Sequence, residues 1–225
     1  MLGTIVNVLS IIAGSFVGII LKKGIPDRAK TTLMQVMGIV VLMIGTSMAL
    51  KTKNVLVVLI SLVLGGITGE ALNIEKKLNQ TAELFEQKIG EKSGDFAKAF
   101  VSASLVYCVG AMAILGSLES GLSGNHTTLY VKSVLDGITS IMFSSSMGIG
   151  VMFSAIPVFV YQGTITLGAS IVKTFLNDDV IREMTATGGI LILGIGLNIL
   201  EIKNIRVANL LPAVFIAIIT ALIAF

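Results

Sequence analysis

The chain has 225 residues, 54% of them hydrophobic and only 13% charged, with a mean hydropathy of +0.95. A soluble domain carries roughly 25% charged residues, so a water-soluble globular fold is excluded. One cysteine (Cys108) and one histidine (His126) leave neither a disulfide framework nor a Cys/His metal site, so no metal and no cofactor are expected. The net charge of +3 comes from basic residues at the ends of apolar segments, where membrane anchors belong, so no nucleic-acid partner is read from it.

Apolar runs of the ~20 residues that one bilayer crossing needs recur along the chain. Segment one, 3–21, has no basic region before it and no small-residue cleavage site, and reads as a retained helix. It ends at Lys22-Lys23 and the turn Gly24-Ile25-Pro26-Asp27. Segments two, 33–50, and three, 55–72, form a tight hairpin around Lys51-Thr52-Lys53-Asn54. Residues 73–95 are rich in charge, yet Ile74, Leu78, Ala82, Phe85 and Ile89 fall on one helical stripe. That pattern predicts an amphipathic cytoplasmic helix, lying on the membrane surface or packed on protein. Segment four spans 96–118. Residues 129–172 suffice for two crossings, or for one crossing plus a re-entrant piece, with a kink expected at Pro157. Segments 187–200 and 205–225 close the chain, the former short for a bilayer.

An ungapped shift of 150 residues lays the last third on the first. Gly18 meets Gly168, Met34 meets Met184, Gly38 meets Gly188, Leu50 meets Leu200, and Lys53-Asn54 meet Lys203-Asn204. The expected architecture is all-α and polytopic, with seven or eight transmembrane helices in two three-helix repeats plus the amphipathic interfacial helix. Its parts are a first repeat at 1–72, the amphipathic helix at 73–95, a linker helix with a re-entrant or spanning segment at 96–150, and a second repeat at 151–225. Duplicated three-helix units place a binding site at the repeat interface in many secondary transporters. Loops 22–30 and 73–98 carry nine Lys/Arg, so the positive-inside rule places the N-terminus outside the cell membrane. Charge counting does not separate seven crossings from eight.

A polar group at bilayer depth is costly without a partner, about 2.5–3.5 kcal/mol for Asp or Lys on insertion scales. Asp136 lies one helical turn after Lys132, and is either half of an i, i+4 pair or a coupling carboxylate for H⁺ or Na⁺. Ser144, Ser145 and Ser146 suit either close helix packing or an unwound segment lining a cavity. Gln162 can bind a substrate or bridge two helices, and Asn7, Gln35, Asn198 and Asn209 are further intramembrane amides. Glu70 and Glu201 read as interfacial, His126 as solvated and Cys108 as a packing residue.

The run Cys108-Val109-Gly110-Ala111-Met112-Ala113-Ile114-Leu115-Gly116-Ser117, then Gly121-Leu122-Ser123-Gly124, Lys132-Ser133-Val134-Leu135-Asp136-Gly137 and Phe153-Ser154-Ala155-Ile156-Pro157, resembles the bacterial domain-of-unknown-function family numbered 554, the YqgA/YdfK-like membrane proteins. Tyr161-Gln162-Gly163, Gly3-Thr4-Ile5-Val6-Asn7, Gly69-Glu70 and Gly196-Leu197-Asn198 carry the likeness over nearly the whole chain. The resemblance implies a bacterial inner-membrane location and no established activity.

The expected function is transport of a small solute or ion, at a site lined by Asp136, Ser144, Ser145, Ser146, Gln162, Asn198 and Asn7. A passive channel, or a non-transporting membrane partner docking through helix 73–95, are the alternatives. An enzyme is not expected, because no nucleophile–base pair is visible. The lipid bilayer is the expected surrounding, and a homo-oligomer is expected because so short a chain offers few helices to enclose a pathway.

Overall fold

A computed structural model describes residues 1–22, 27–77, 79–80 and 96–224. The described residues are helical throughout their regular structure, with no strand among them. In chain order the helices are α1 (Leu2–Lys22), α2 (Asp27–Ala49), α3 (Val55–Leu72), α4 (Phe96–Cys108), α5 (Ala111–Leu122) and α6 (Thr127–Met147). They continue with α7 (Gly150–Phe153), α8 (Ala155–Leu167), α9 (Ala169–Phe175), α10 (Asp178–Ile199), a 3₁₀ turn (Val207–Leu210) and α11 (Pro212–Ala224). Most of the expected amphipathic helix at 73–95 lies outside the described residues; residues 74–77 are helical.

Five segments are long and apolar enough to cross a bilayer: Leu2–Leu21, Val55–Leu72, Gly150–Leu167, Asp178–Ile199 and Val207–Ala224. The pair α4 and α5, bent by 57°, makes a sixth if it counts as one span. The expectation of seven or eight rests on adding α2, whose apolar stretch is shorter, and α6, which carries Lys132 and Asp136.

Three local expectations change. Segment 96–118 is broken at Val109–Gly110 into α4 and α5. Near the kink expected at Pro157 the helix is interrupted at Ser154, between α7 and α8. Pro157 therefore sits in the first turn of α8, where its missing N–H costs no helical hydrogen bond. The short segment at 187–200 is the second half of a 22-residue helix. Its start is set by Asn177, whose side chain accepts from Val180 N–H, and by Asp178 and Asp179 in the first turn, both favourable at a helix N-terminus.

The helices fall into two units. The first holds the described residues of 1–33 and 96–174, and the second those of 34–80 and 175–224.

In the first unit α1 packs along α6. A methyl group on Gly3 would lie 2.8 Å from the Leu129 side chain, one on Gly14 2.2 Å from Gly137 O, and one on Gly18 2.4 Å from Ile141 O. The contact positions rise together along both chains, so the two helices run parallel over their full length. Thr127–Met147 is one unbroken helix, and Gly148 at φ 89° ends it. Backbones approach this closely because lipid offers no hydrophobic drive between helices, and small residues maximise dispersion contact. Leu2, Ile5, Leu9 and Phe16 of α1 are exposed on the outer face, while Thr4, Asn7, Ile11 and Ser15 are buried. The polar face points inward, the reverse of a helix in water. At one end Gly121 of α5 meets Thr166 and Ala169; at the other Gly150 meets Phe96 and Ala99.

In the second unit the pairs are antiparallel. Gly38 of α2 meets Leu200, just beyond the end of α10, and Gly45 meets Gly189 and Leu193. Gly65 of α3 meets Ala213 of α11, Gly69 meets Asn209, and Ser61 Oγ lies 2.7 Å from Thr220 Oγ1. Asn54 caps the start of α3, and Asn73, left-handed at φ 53°, ends it with its N–H on Glu70 O.

Gly14→Ala should lower the thermal midpoint in detergent by an overpacking cost of about 1–3 kcal/mol. Gly66→Ala, whose methyl would meet only the Leu210 side chain at 3.3 Å, should leave it unchanged.

Candidate functional site

The helix pair α1/α6 carries charge on its inner side, while Val131, Val134, Leu135 and Ile138 of α6 are exposed on the other. Lys132, Asp136, Ser140 and Ser144 recur every fourth residue of α6 and are all buried. Lys132 Nζ donates to Asp136 at 2.8 Å from Oδ2 and 3.0 Å from Oδ1. Asn7 Nδ2 of α1 donates to Asp136 Oδ2 at 3.0 Å. Both carboxylate oxygens are therefore engaged and the pair is neutral as a unit, which is how ionisable side chains are tolerated away from water. One turn further, Ser140 Oγ donates to Tyr107 Oη at 2.9 Å. Tyr107 is the last residue but one of α4, so the interruption between α4 and α5 lies beside the polar stripe.

The first unit also holds buried polar atoms with no hydrogen-bond partner among the described residues. They include Thr4 Oγ1 and Asn7 Oδ1 on α1, Ser117 Oγ on α5, Ser144 Oγ on α6, and Thr166 Oγ1 on α8. Gln162 on α8 is the most complete case, since it is 0% exposed and neither its oxygen nor its nitrogen is paired. A methyl on its neighbour Gly163 would lie 3.5 Å from Met1 Cε, so this part of α8 meets the start of α1, where Thr4 and Asn7 follow.

Of the residues singled out from the sequence, Asn7, Asp136, Ser144, Ser145, Ser146 and Gln162 all belong to the first unit. Ser145 Oγ donates to Met142 O, and Ser146 Oγ is unpaired. Asn198 belongs to the second unit and spends its amide on one backbone partner, donating to Ile205 O and accepting from Ile205 N–H, both at 2.7 Å. That double bond closes the turn between α10 and the 3₁₀ segment. His126 Nδ1 lies 2.9 Å from Ser120 Oγ, and Cys108 is a free thiol.

Sequence reasoning passed over Glu183, which is 0% exposed on α10. Its carboxylate accepts from Thr52 Oγ1 and from Lys53 N–H at 2.9 Å, tying the α2–α3 hairpin to α10. The charged run 178–183 reads as a loop, which hid it. At the far end of α3, Glu70 accepts from Arg206 at 2.8 Å and Asn209 at 2.6 Å, while Asn209 Oδ1 accepts from Glu75 N–H. Burial pushes the Glu75 carboxyl above its usual range, opposed by the Ala208 backbone and Arg206.

No group of three or more His, Cys, Asp or Glu side chains suited to a metal ion occurs among the described residues. The model for the family "Protein of unknown function (DUF554)" matches residues 2–222. The chain belongs to this family. A relative from Bacillus subtilis, named uncharacterized membrane protein YdfK, is 39% identical over 220 residues, 96% of this chain and 93% of its own length. One from Escherichia coli, named uncharacterized protein YqgA, is 28% identical over 221 residues, 96% of this chain and 94% of its own. No solved structure matches. The first of these names describes a membrane protein, and neither carries an activity.

Lys132→Ala alone leaves the buried Asp136 charge uncompensated and should destabilise by about 3–5 kcal/mol, whereas Lys132→Met with Asp136→Leu should recover most of that loss. Thermal unfolding in detergent reads both. Because the folded-state pKa of Glu75 is raised, its contribution favours folding at low pH and is lost as pH rises through that value. Glu75→Gln should therefore be more stable than the wild type at pH 7.5 and should lose the advantage at pH 4, in the same assay.

Proposed function

We propose that this family member is a membrane transporter of a small solute, whose binding site is the polar interior of the first unit between α1, α5, α6 and α8. The observation that carries the reading is the buried Gln162, unpaired at both ends of its amide. In hydrocarbon an unsatisfied polar group costs several kcal/mol. Polar groups kept there without partners are suited to a guest that completes their hydrogen bonds. The break between α4 and α5 beside Tyr107 and Asp136 supports the same reading, because discontinuous helices line the binding sites of many transporters.

The reading includes eight crossings of the cell membrane. The parallel packing of α1 and α6 requires an odd number of crossings between them, supplied by α2, α3 and the bent pair α4/α5. Spans α7/α8, α10 and α11 then follow. On this count α2 and α10 cross in opposite senses, as do α3 and α11, which is the pattern of an inverted repeat of three helices. It places eleven lysines and arginines on the inner side against five, with both termini outside.

A cysteine added after Phe225 in a Cys108→Ala background should react with a membrane-impermeant thiol reagent in intact cells. Protection until lysis would reduce the count to an odd number and remove the inverted repeat. Transport itself is tested with purified full-length protein in liposomes, where Gln162→Leu should slow uptake of the transported solute.

A further inference from the structure

The polar interior of the first unit divides into two kinds of group. Its charges are consumed internally: Lys132 holds both oxygens of Asp136, and Asn7 Nδ2 holds one of them again. A cation would need a carboxylate free of its lysine, and an anion would need the lysine free of its carboxylate. Either would pull apart a buried pair, leaving one charge uncompensated at bilayer depth. The groups left without partners among the described residues of this unit are all neutral: the Gln162 amide, Asn7 Oδ1, and the hydroxyls of Thr4, Ser15, Ser117, Ser144, Ser146 and Thr166. Among them the Gln162 nitrogen is a pure donor, its oxygen and Asn7 Oδ1 are pure acceptors, and each hydroxyl can be either.

We infer, on the transporter reading above, that the solute is small and uncharged and carries several hydrogen-bond donors and acceptors, a polyol or a small amide, and that Gln162 recognises it while Lys132 and Asp136 stay bonded to each other. The ion pair and Asn7 then hold α1 against α6 and set the wall on which the solute rests. Selection against ions follows from the missing counter-charge, and selection against apolar solutes from the unpaired amide, since a guest without hydrogen-bonding groups leaves Gln162 unsatisfied.

The experiment uses the full chain in liposomes with glycerol, erythritol, urea and acetamide as probes, following solute entry by stopped-flow light scattering after an osmotic step. Na⁺, K⁺ and Cl⁻ fluxes are recorded on the same vesicles. The expected result is entry of at least one neutral probe well above protein-free vesicles, with no ion flux. Gln162→Leu should reduce that entry about tenfold or more, and Gln162→Asn should retain part of it. Thermal midpoint and gel filtration establish that both variants are folded, and Thr166→Val gives a second, milder reduction if Gln162→Leu is not. Ion flux without neutral-solute entry would overturn the inference and leave the transporter reading standing. Neutral-solute entry that Gln162→Leu leaves unchanged would overturn the role of Gln162. No flux of any probe through folded protein would overturn both the inference and the transporter reading.

Discussion

The close parallel contact between α1 and α6 governs the first unit. Gly14 and Gly18 bring α1 against the backbone of Gly137 and Ile141, near enough that a single methyl would collide with a carbonyl oxygen. At that separation the short Asn7 side chain reaches Asp136, and the carboxylate is shared between two helices far apart in sequence. Without the small residues the helices would stand apart and the acid would keep only its lysine. Dispersion between backbones and a buried charge pair are thus one device: each permits the other where water is absent.

The second unit is built differently. Two antiparallel pairs, α2 with α10 and α3 with α11, are clasped at their ends by carboxylates. Glu183 holds the Thr52–Lys53 turn, and Glu70 holds Arg206 and Asn209. These acids accept hydrogen bonds from turns, so backbone and side-chain donors released where helices end find partners. Glu70, which reads from the sequence as interfacial charge, is therefore one of the two acids that clasp these pairs.

Much of the candidate site could be read in advance because its members are polar residues in apolar segments. Asp136, Lys132, Asn7, Gln162 and Ser144 needed only that contrast, and the i, i+4 spacing of Lys132 and Asp136 already placed them side by side. Asn198 had the same contrast but a local use, bonding to Ile205 seven residues later. Glu183 was hidden because it follows Asp178 and Asp179, whose charges mimic a loop while in fact favouring a helix start. The break at Val109–Gly110 left no mark in hydropathy, since both halves are equally apolar.

Composition and hydropathy by themselves pointed to a helical membrane protein, because the cost of placing a side chain in lipid follows its residue type and backbone there must satisfy its own hydrogen bonds; the motifs pointed to its family. Tertiary structure decided which polar residues meet, that α1 and α6 run parallel, and that the first unit joins α1 to residues beyond 96. Those outcomes depend on backbone separation at Gly14, Gly18 and Gly137, and a one-dimensional pattern records where small residues lie but not which partner each one faces.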